Sequence, residues 1–221
     1  MRSALALAAG LFLVTAGGSP AAADPIIFDN GSFLTDAGGD YVSDVDFGAT
    51  GVQFADDFIL GVPSFVTGVN WWGVYFPGGT PGTDDFTIEI YDNVGGFPAL
   101  LPLVAFSIGT ANRTDTGVDQ GDGDDIYTFH ADIAATLLAA GTYWLSIYND
   151  TTLDGDDNWY WSRSSLTGND RHRFGLSGPW DDDLPGEQAF QLEGEPVPEP
   201  GTLLLLGAGA IAWPLVRRRR S

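Results

Sequence analysis

The sequence predicts an all-β fold, an antiparallel β-sandwich of jelly-roll-like type, with a short apolar segment at each end of the chain. Three observations carry that prediction. Apolar and polar residues alternate with period two in several separate runs, the signature of half-buried strands. The spacers are rich in turn formers, with 30 Gly and 13 Pro in 221 residues, as short strands joined by turns require. Helical character is confined to the termini and to one short stretch, Ile133 to Ala140.

Residues 1–23 read as a secretory signal peptide. Arg2 gives a positive start, Leu5 to Val14 a short apolar region, and Ala21 and Ala23 small residues for cleavage before Asp24. Gly17, Gly18 and Pro20 break the helix where a buried globular helix would continue. Export through the Sec machinery and cleavage by signal peptidase follow as expectations.

Residues 24–195 read as one β-sandwich domain without repeats or an internal linker. Val52 to Leu60 and Val66 to Phe76 are the first strand candidates. Next, Phe86, Ile88 and Ile90 alternate with Thr87, Glu89 and Tyr91. Leu103 to Ile108 and Ile126 to Ala131 follow, and Ile133 to Ala140 is expected to be a helical turn closed by Gly141. Tyr143, Leu145 and Ile147 then alternate with Trp144, Ser146 and Tyr148. Trp159 to Ser162 and Ala189 to Leu192 complete a set of about eight strands, enough for a sandwich.

Charge narrows the function. Lys+Arg is 9 against 30 Asp+Glu, a formal net charge of −21. Between Asp24 and Val197, 29 acids face four arginines (Arg113, Arg163, Arg171 and Arg173), a charge of −25. Such a body repels phosphate backbones, which excludes nucleic acid as a partner. The absence of Cys excludes disulfides, thiolate zinc sites and a cysteine nucleophile. His130 and His172 have no metal-ligand spacing.

The last element, residues 196–221, combines Pro198-Glu199-Pro200, an apolar run from Gly201 to Val216, and the cluster Arg217, Arg218, Arg219 and Arg220. As a helix the run is about 24 Å long against a hydrocarbon core of about 30 Å. The arginines would stay cytoplasmic by the positive-inside rule. In this order the three parts resemble the PEP-CTERM sorting signal of exported bacterial proteins. The resemblance implies a transmembrane sorting helix, processing by an exosortase, and association with exopolysaccharide. Asp56-Asp57-Phe58, Val69-Asn70-Trp71-Trp72-Gly73, Asp85-Phe86-Thr87-Ile88, Ala140-Gly141-Thr142-Tyr143-Trp144 and Trp159-Tyr160-Trp161 make the body similar to those of other such proteins, and imply no particular activity.

Three residue sets are candidates for chemistry in the body. Paired acids (Asp56-Asp57, Asp84-Asp85, Asp124-Asp125 and Asp156-Asp157) could serve a glycosidase only if two converged across a bond, whereas strand neighbours face opposite ways. They are expected chiefly at a solvated surface. Two acidic loops, one with Asp119, Asp122 and Asp124 and the other with Asp154, Asp156 and Asn158, offer oxygens to calcium. Trp159 stands where an EF-hand needs Gly, which excludes that motif. Trp72, Trp144, Tyr160 and Trp180 are candidate platforms for sugar rings. Arg171-His172-Arg173 is expected to pair with Asp170 or Asp181. No other cofactor is implied. The sequence thus leads to an exported surface or matrix protein, transiently anchored in the inner membrane, whose acidic β-sandwich interacts without catalysing. A lectin-like module and a secreted glycoside hydrolase are the alternatives.

Overall fold

The computed structural model describes residues 24–36, 40–77, 82–153 and 157–198. The signal-peptide segment, the sorting segment beyond Pro198, and the acids Asp154 and Asp156 lie outside them. The described residues contain no helix.

Among the described residues, fourteen strands form two seven-stranded sheets, and every pairing between these strands is antiparallel. The first sheet is built around the long strand β4 (Ser64–Phe76). One edge of β4 pairs along much of its length with β9 (Asp125–Leu138), which pairs in turn with β8 (Asn112–Asp119). Two strands share its other edge: β14 (Phe190–Pro196) covers Ser64 to Trp71, and β11 (Asn158–Trp161) covers Gly73 to Phe76. β1 (Ile26–Asp29) flanks β14, and β2 (Tyr41–Val42) flanks β11.

The second sheet runs in the order β13 (Asp181–Pro185), β12 (Asn169–Phe174), β3 (Val52–Leu60), β10 (Gly141–Tyr148) and β5 (Phe86–Val94). β6 (Phe97–Pro98) and β7 (Val104–Gly109) both pair with β5. Successive strands cross repeatedly between sheets, giving the jelly-roll-like sandwich that alternation predicts. Six strands exceed the expected eight. β2 and β6, two residues each, are too short to show a period. β1, β8, β12 and β13 lie outside the expected set, β8 and β12 being polar-rich stretches (NRTDTGVD and NDRHRF) without a clear apolar alternation.

The expected helical turn at Ile133 to Ala140 is corrected: Ile133 to Leu138 continue β9, and Gly141 opens β10 instead of capping a helix. Leu138 lies opposite Ser64 in the ladder, and both Ile133 and Leu138 join the core. Long-range pairing to β4 overrides the local preference of an Ala- and Leu-rich segment.

Between the sheets lies an aromatic core. Trp71, Phe86, Phe129, Trp159, Trp161 and Phe190 are fully buried. Trp71 stacks on Phe129 with centroids 5.5 Å apart, and Phe86 meets Trp159 edge-on at 5.1 Å. Gly73 makes room for this packing, since a Cβ there would stand 2.4 Å from the Trp159 indole nitrogen. A smaller cluster of Ala55, Tyr91, Trp144 and Trp180 covers the outer face of the second sheet.

Candidate functional site

A concavity carrying both apolar and acidic groups lies on the outer face of the first sheet. Side chains alternate along β4, so Trp71 and Tyr75 enter the core while Trp72, Val74 and Phe76 face outward. Tyr160 of β11 pairs with Val74, and its ring meets Phe76 edge-on at 6.0 Å. These residues form the apolar floor of a cleft of about 200 Å³, also lined by Asp40, Gln120, Asp122 and Asp124.

The polar wall comes from two distant stretches joined by hydrogen bonds. The β8–β9 turn closes with the Gln120 N–H donating to the Asp124 carbonyl at 2.9 Å, and Gly123 adopts φ +98°, a conformation that favours Gly. The buried Gln120 side chain then donates to the Asp40 carboxylate beside β2. Asp40 also accepts from the Ser162 hydroxyl and the Arg163 N–H, both at 3.0 Å. Burial pushes its carboxyl up to about 7 despite these three donors, so near neutral pH the protonated fraction has an O–H to offer a ligand while the carboxylate fraction only accepts. Partial burial, then the neighbouring charges of Asp122 and Asp125, raises Asp124 above the ordinary carboxyl range. The cleft thus sets carboxyl and amide groups opposite a Tyr–Phe–Val floor, an arrangement suited to a small polyhydroxylated ligand.

The four expected platforms divide between two faces. Trp72 and Tyr160 are half-buried on the outer face of the first sheet, with Trp72 6.1 Å from the Phe33 ring. Trp144 and Trp180 cover the second sheet and are only 3% and 7% exposed. Arginines occupy their faces: Arg173 lies 4.4 Å from the Trp180 ring, and Arg171 lies 5.4 Å from that of Trp144. Their indole N–H groups donate to Asn93 Oδ1 and to the Ala99 carbonyl. These two tryptophans are therefore not open platforms.

Of the acidic loops, Asp119 is exposed and lies opposite Asp125 at the hairpin end, while Asp122 and Asp124 enter the cleft. Asn158, half-buried, opens β11 opposite Phe76. Among the described residues, the triad of carboxylates whose ligand atoms lie within 4.8 Å of one another is Asp56, Asp57 and Glu187.

That cluster corrects the expectation of solvated acid pairs. Asp56 is fully buried, Glu187 nearly so, and Asn30 Nδ2 bridges them at 2.8 Å to each. Burial first, and then the Glu187 charge, holds Asp56 far above the ordinary range. The pair lies inside the sandwich, without the separation across a cleft that glycoside hydrolysis requires. Asp84 is buried too, ion-paired to Arg113 at 3.1 Å and accepting from Asn149 and Tyr75. In the basic cluster, Arg171 donates to the main-chain carbonyl of Asp170 at 2.7 Å. Arg173 turns instead to Gln53, Tyr91 and Glu89.

Sequence reasoning missed Asp40, Gln120 and Glu187. Each is isolated locally, and its role rests on partners far away in the chain; no short-range spacing signals it.

Fold and cleft define an acidic all-β sandwich with a polar–aromatic recess, carried on a chain whose C-terminal pattern is that of a sorting signal. Residues 196–220 match the PEP-CTERM protein-sorting motif. The motif is that of exported proteins sorted by an exosortase, and this chain carries it. No curated protein and no solved structure matches the chain.

Proposed function

We propose that the protein is a cell-surface or extracellular-matrix component whose β-sandwich binds rather than catalyses, in association with exopolysaccharide. The PEP-CTERM match over residues 196–220 carries the sorting part of this reading. Residues 1–23 direct export, the apolar run from Gly201 to Val216 holds the chain transiently in the inner membrane, and exosortase cleavage releases it. Mass spectrometry of the mature chain tests this. The expected product lacks both residues 1–23 and Arg217 to Arg220; a cytoplasmic chain retaining both ends would overturn the sorting.

The lectin-like reading of the body is favoured by the cleft, where Tyr160 and Phe76 face Asp40, Asp122 and Asp124. A ring can lie on the apolar floor while its hydroxyls bond the carboxyls and Gln120. A glycan array followed by calorimetry is the measurement. Neutral glycans are expected to bind, and Tyr160→Ala should weaken binding at least tenfold, about 1.4 kcal/mol. Silence across neutral and acidic glycans would sink this reading.

A further inference from the structure

The charge of the sandwich is segregated along its length. Ladder registers define the two ends: Leu60 lies opposite Gly141, Ser64 opposite both Leu138 and Pro196, and Tyr143 opposite Asp92. One end therefore gathers the β3–β4 turn, the β9–β10 turn, the loop after β5, and both termini of the body. The three connections come from charge-free stretches: no charged residue occurs between Asp57 and Asp84, between Asp92 and Arg113, or between Asp132 and Asp150. In a chain with 30 acids this is a pronounced asymmetry. Asp24, Asp92 and Glu195 lie at the rim of this end, whereas Asp46, Asp85, Asp119, Asp122, Asp125 and Asp150 gather at the opposite one.

The uncharged end is apolar and open to solvent. Ile26, Ile59, Val62, Leu100, Leu101 and Leu137 range from 44% exposed at Val62 to 80% at Leu101. Ile26 and Val62 also line an apolar recess of about 440 Å³, together with Pro25, Leu60 and Pro196 among others. Exposed apolar side chains occur elsewhere too, Leu153 and Phe174 among them. At this end, however, the connecting loops carry no charge, and an exposed apolar surface of that kind marks an interaction site.

We propose that this end rests on the membrane while the chain is anchored, with lipid as the occupant. Position argues for lipid. The Val197 N–H bonds the Pro63 carbonyl at 2.8 Å, and the Gly194 N–H bonds the Pro25 carbonyl at 2.9 Å, so the chain leaves the body from this end. Three residues, Pro198 to Pro200, separate Val197 from Gly201, where the apolar run begins; fully extended, the four steps between them span about 14 Å. The headgroup layer itself is about 5–8 Å deep, so the tether holds the apolar end against the bilayer surface. The charge pattern fits the same orientation, since bringing charge-free loops against lipid removes no ionised group from water, whereas the acidic end would have to desolvate its carboxylates. Exosortase cleavage then removes the tether and releases the body from a contact too weak to hold it alone. The proposal rests on the membrane anchoring described above.

The chain has no native Cys, so single labels report cleanly. Full-length protein in phosphatidylcholine nanodiscs, carrying a fluorophore on Val62→Cys, Leu101→Cys or Leu137→Cys, is measured with and without headgroup-level nitroxide lipid. Asp122→Cys and Leu153→Cys report the opposite end, and Ala208→Cys, read with lipid carrying the nitroxide midway down the acyl chain, reports the anchor. Labels at 62, 101 and 137 should lose at least half their emission, and those at 122 and 153 almost none. Quenching at 208 without quenching at 62, 101 and 137 overturns the docking and leaves the anchor standing. No quenching at 208 overturns both. Self-quenching at 62 and 137 that is independent of nitroxide lipid assigns the surface to a second copy and also overturns the proposal.

Discussion

At Asp40 three donors hold a carboxyl largely removed from water, and its pKa of about 7 sets how stability depends on pH. The folded value lies above the ordinary value of 3.8, so the folded chain binds the proton more tightly than the unfolded one. The stabilisation is fully present below about pH 3.8 and is lost as pH rises through about 7. Comparing unfolding free energies of wild type and Asp40→Asn across this window should show the wild type losing ground by up to about 1.4 kcal/mol per pH unit. A pH-independent difference would show that folding leaves the proton affinity of Asp40 unchanged. Glu187 acts in the same direction through its charge on Asp56. Glu187→Gln removes that like charge, so it should stabilise the fold at pH 8 by about 1 kcal/mol and lose the advantage in acid. Neither effect was legible in the sequence. Asp56 stands out only as part of an Asp-Asp pair, and its hydrogen bonds come from Asn30, just after β1, and from Gln188, just before β14.

At the scale of elements, sequence alternation located the long strands well because each has one buried face. Val52 to Leu60 is recovered with its bounds intact, and Tyr143, Leu145 and Ile147 enter the core as their period requires. Alternation fails where a segment is apolar throughout, as at Ile133 to Ala140, because a run of Ala and Leu fits either period. It also cannot show that the β8–β9 turn reaches across to β2. That contact depends on the Gln120 side chain, whose amide meets Asp40. Gln120→Ala should cost about 1–2 kcal/mol, since it leaves a buried acceptor short of one donor. Amide exchange should rise in residues 118–125 and stay unchanged in β10; uniform acceleration would mean that the turn is not a separate unit. Within β4, Gly73→Ala forces a methyl against the buried Trp159 indole. A loss of about 1–3 kcal/mol is expected, measured by denaturant melting, with near-ultraviolet dichroism reporting the displaced tryptophan.

For the whole molecule, a body charge of −25 concentrated away from the tether end makes self-repulsion a long-range cost of the compact state. The Debye length falls from about 30 Å at 0.01 M salt to about 8 Å at 0.15 M, so repulsion among acids at the far end is screened over that range. The melting temperature should therefore rise by several degrees with sodium chloride at pH 7.5, and much less at pH 4, where many exposed carboxylates are neutral. Calcium is the discriminating addition. Asp119, Asp122 and Asp124 do not converge as Asp56, Asp57 and Glu187 do, and within the latter group Asp56 and Glu187 already accept internal hydrogen bonds. Calcium and sodium solutions of equal ionic strength should then shift the melting temperature equally. A larger calcium shift that disappears in Asp122→Asn/Asp124→Asn would show that the hairpin turn rearranges to bind the ion. A larger shift that survives the double substitution would assign the ion elsewhere, with the loop carrying Asp154, Asp156 and Asn158 the next to mutate. Either result contradicts general screening as the sole origin of salt stabilisation, because a specific ion stabilises by binding the folded state.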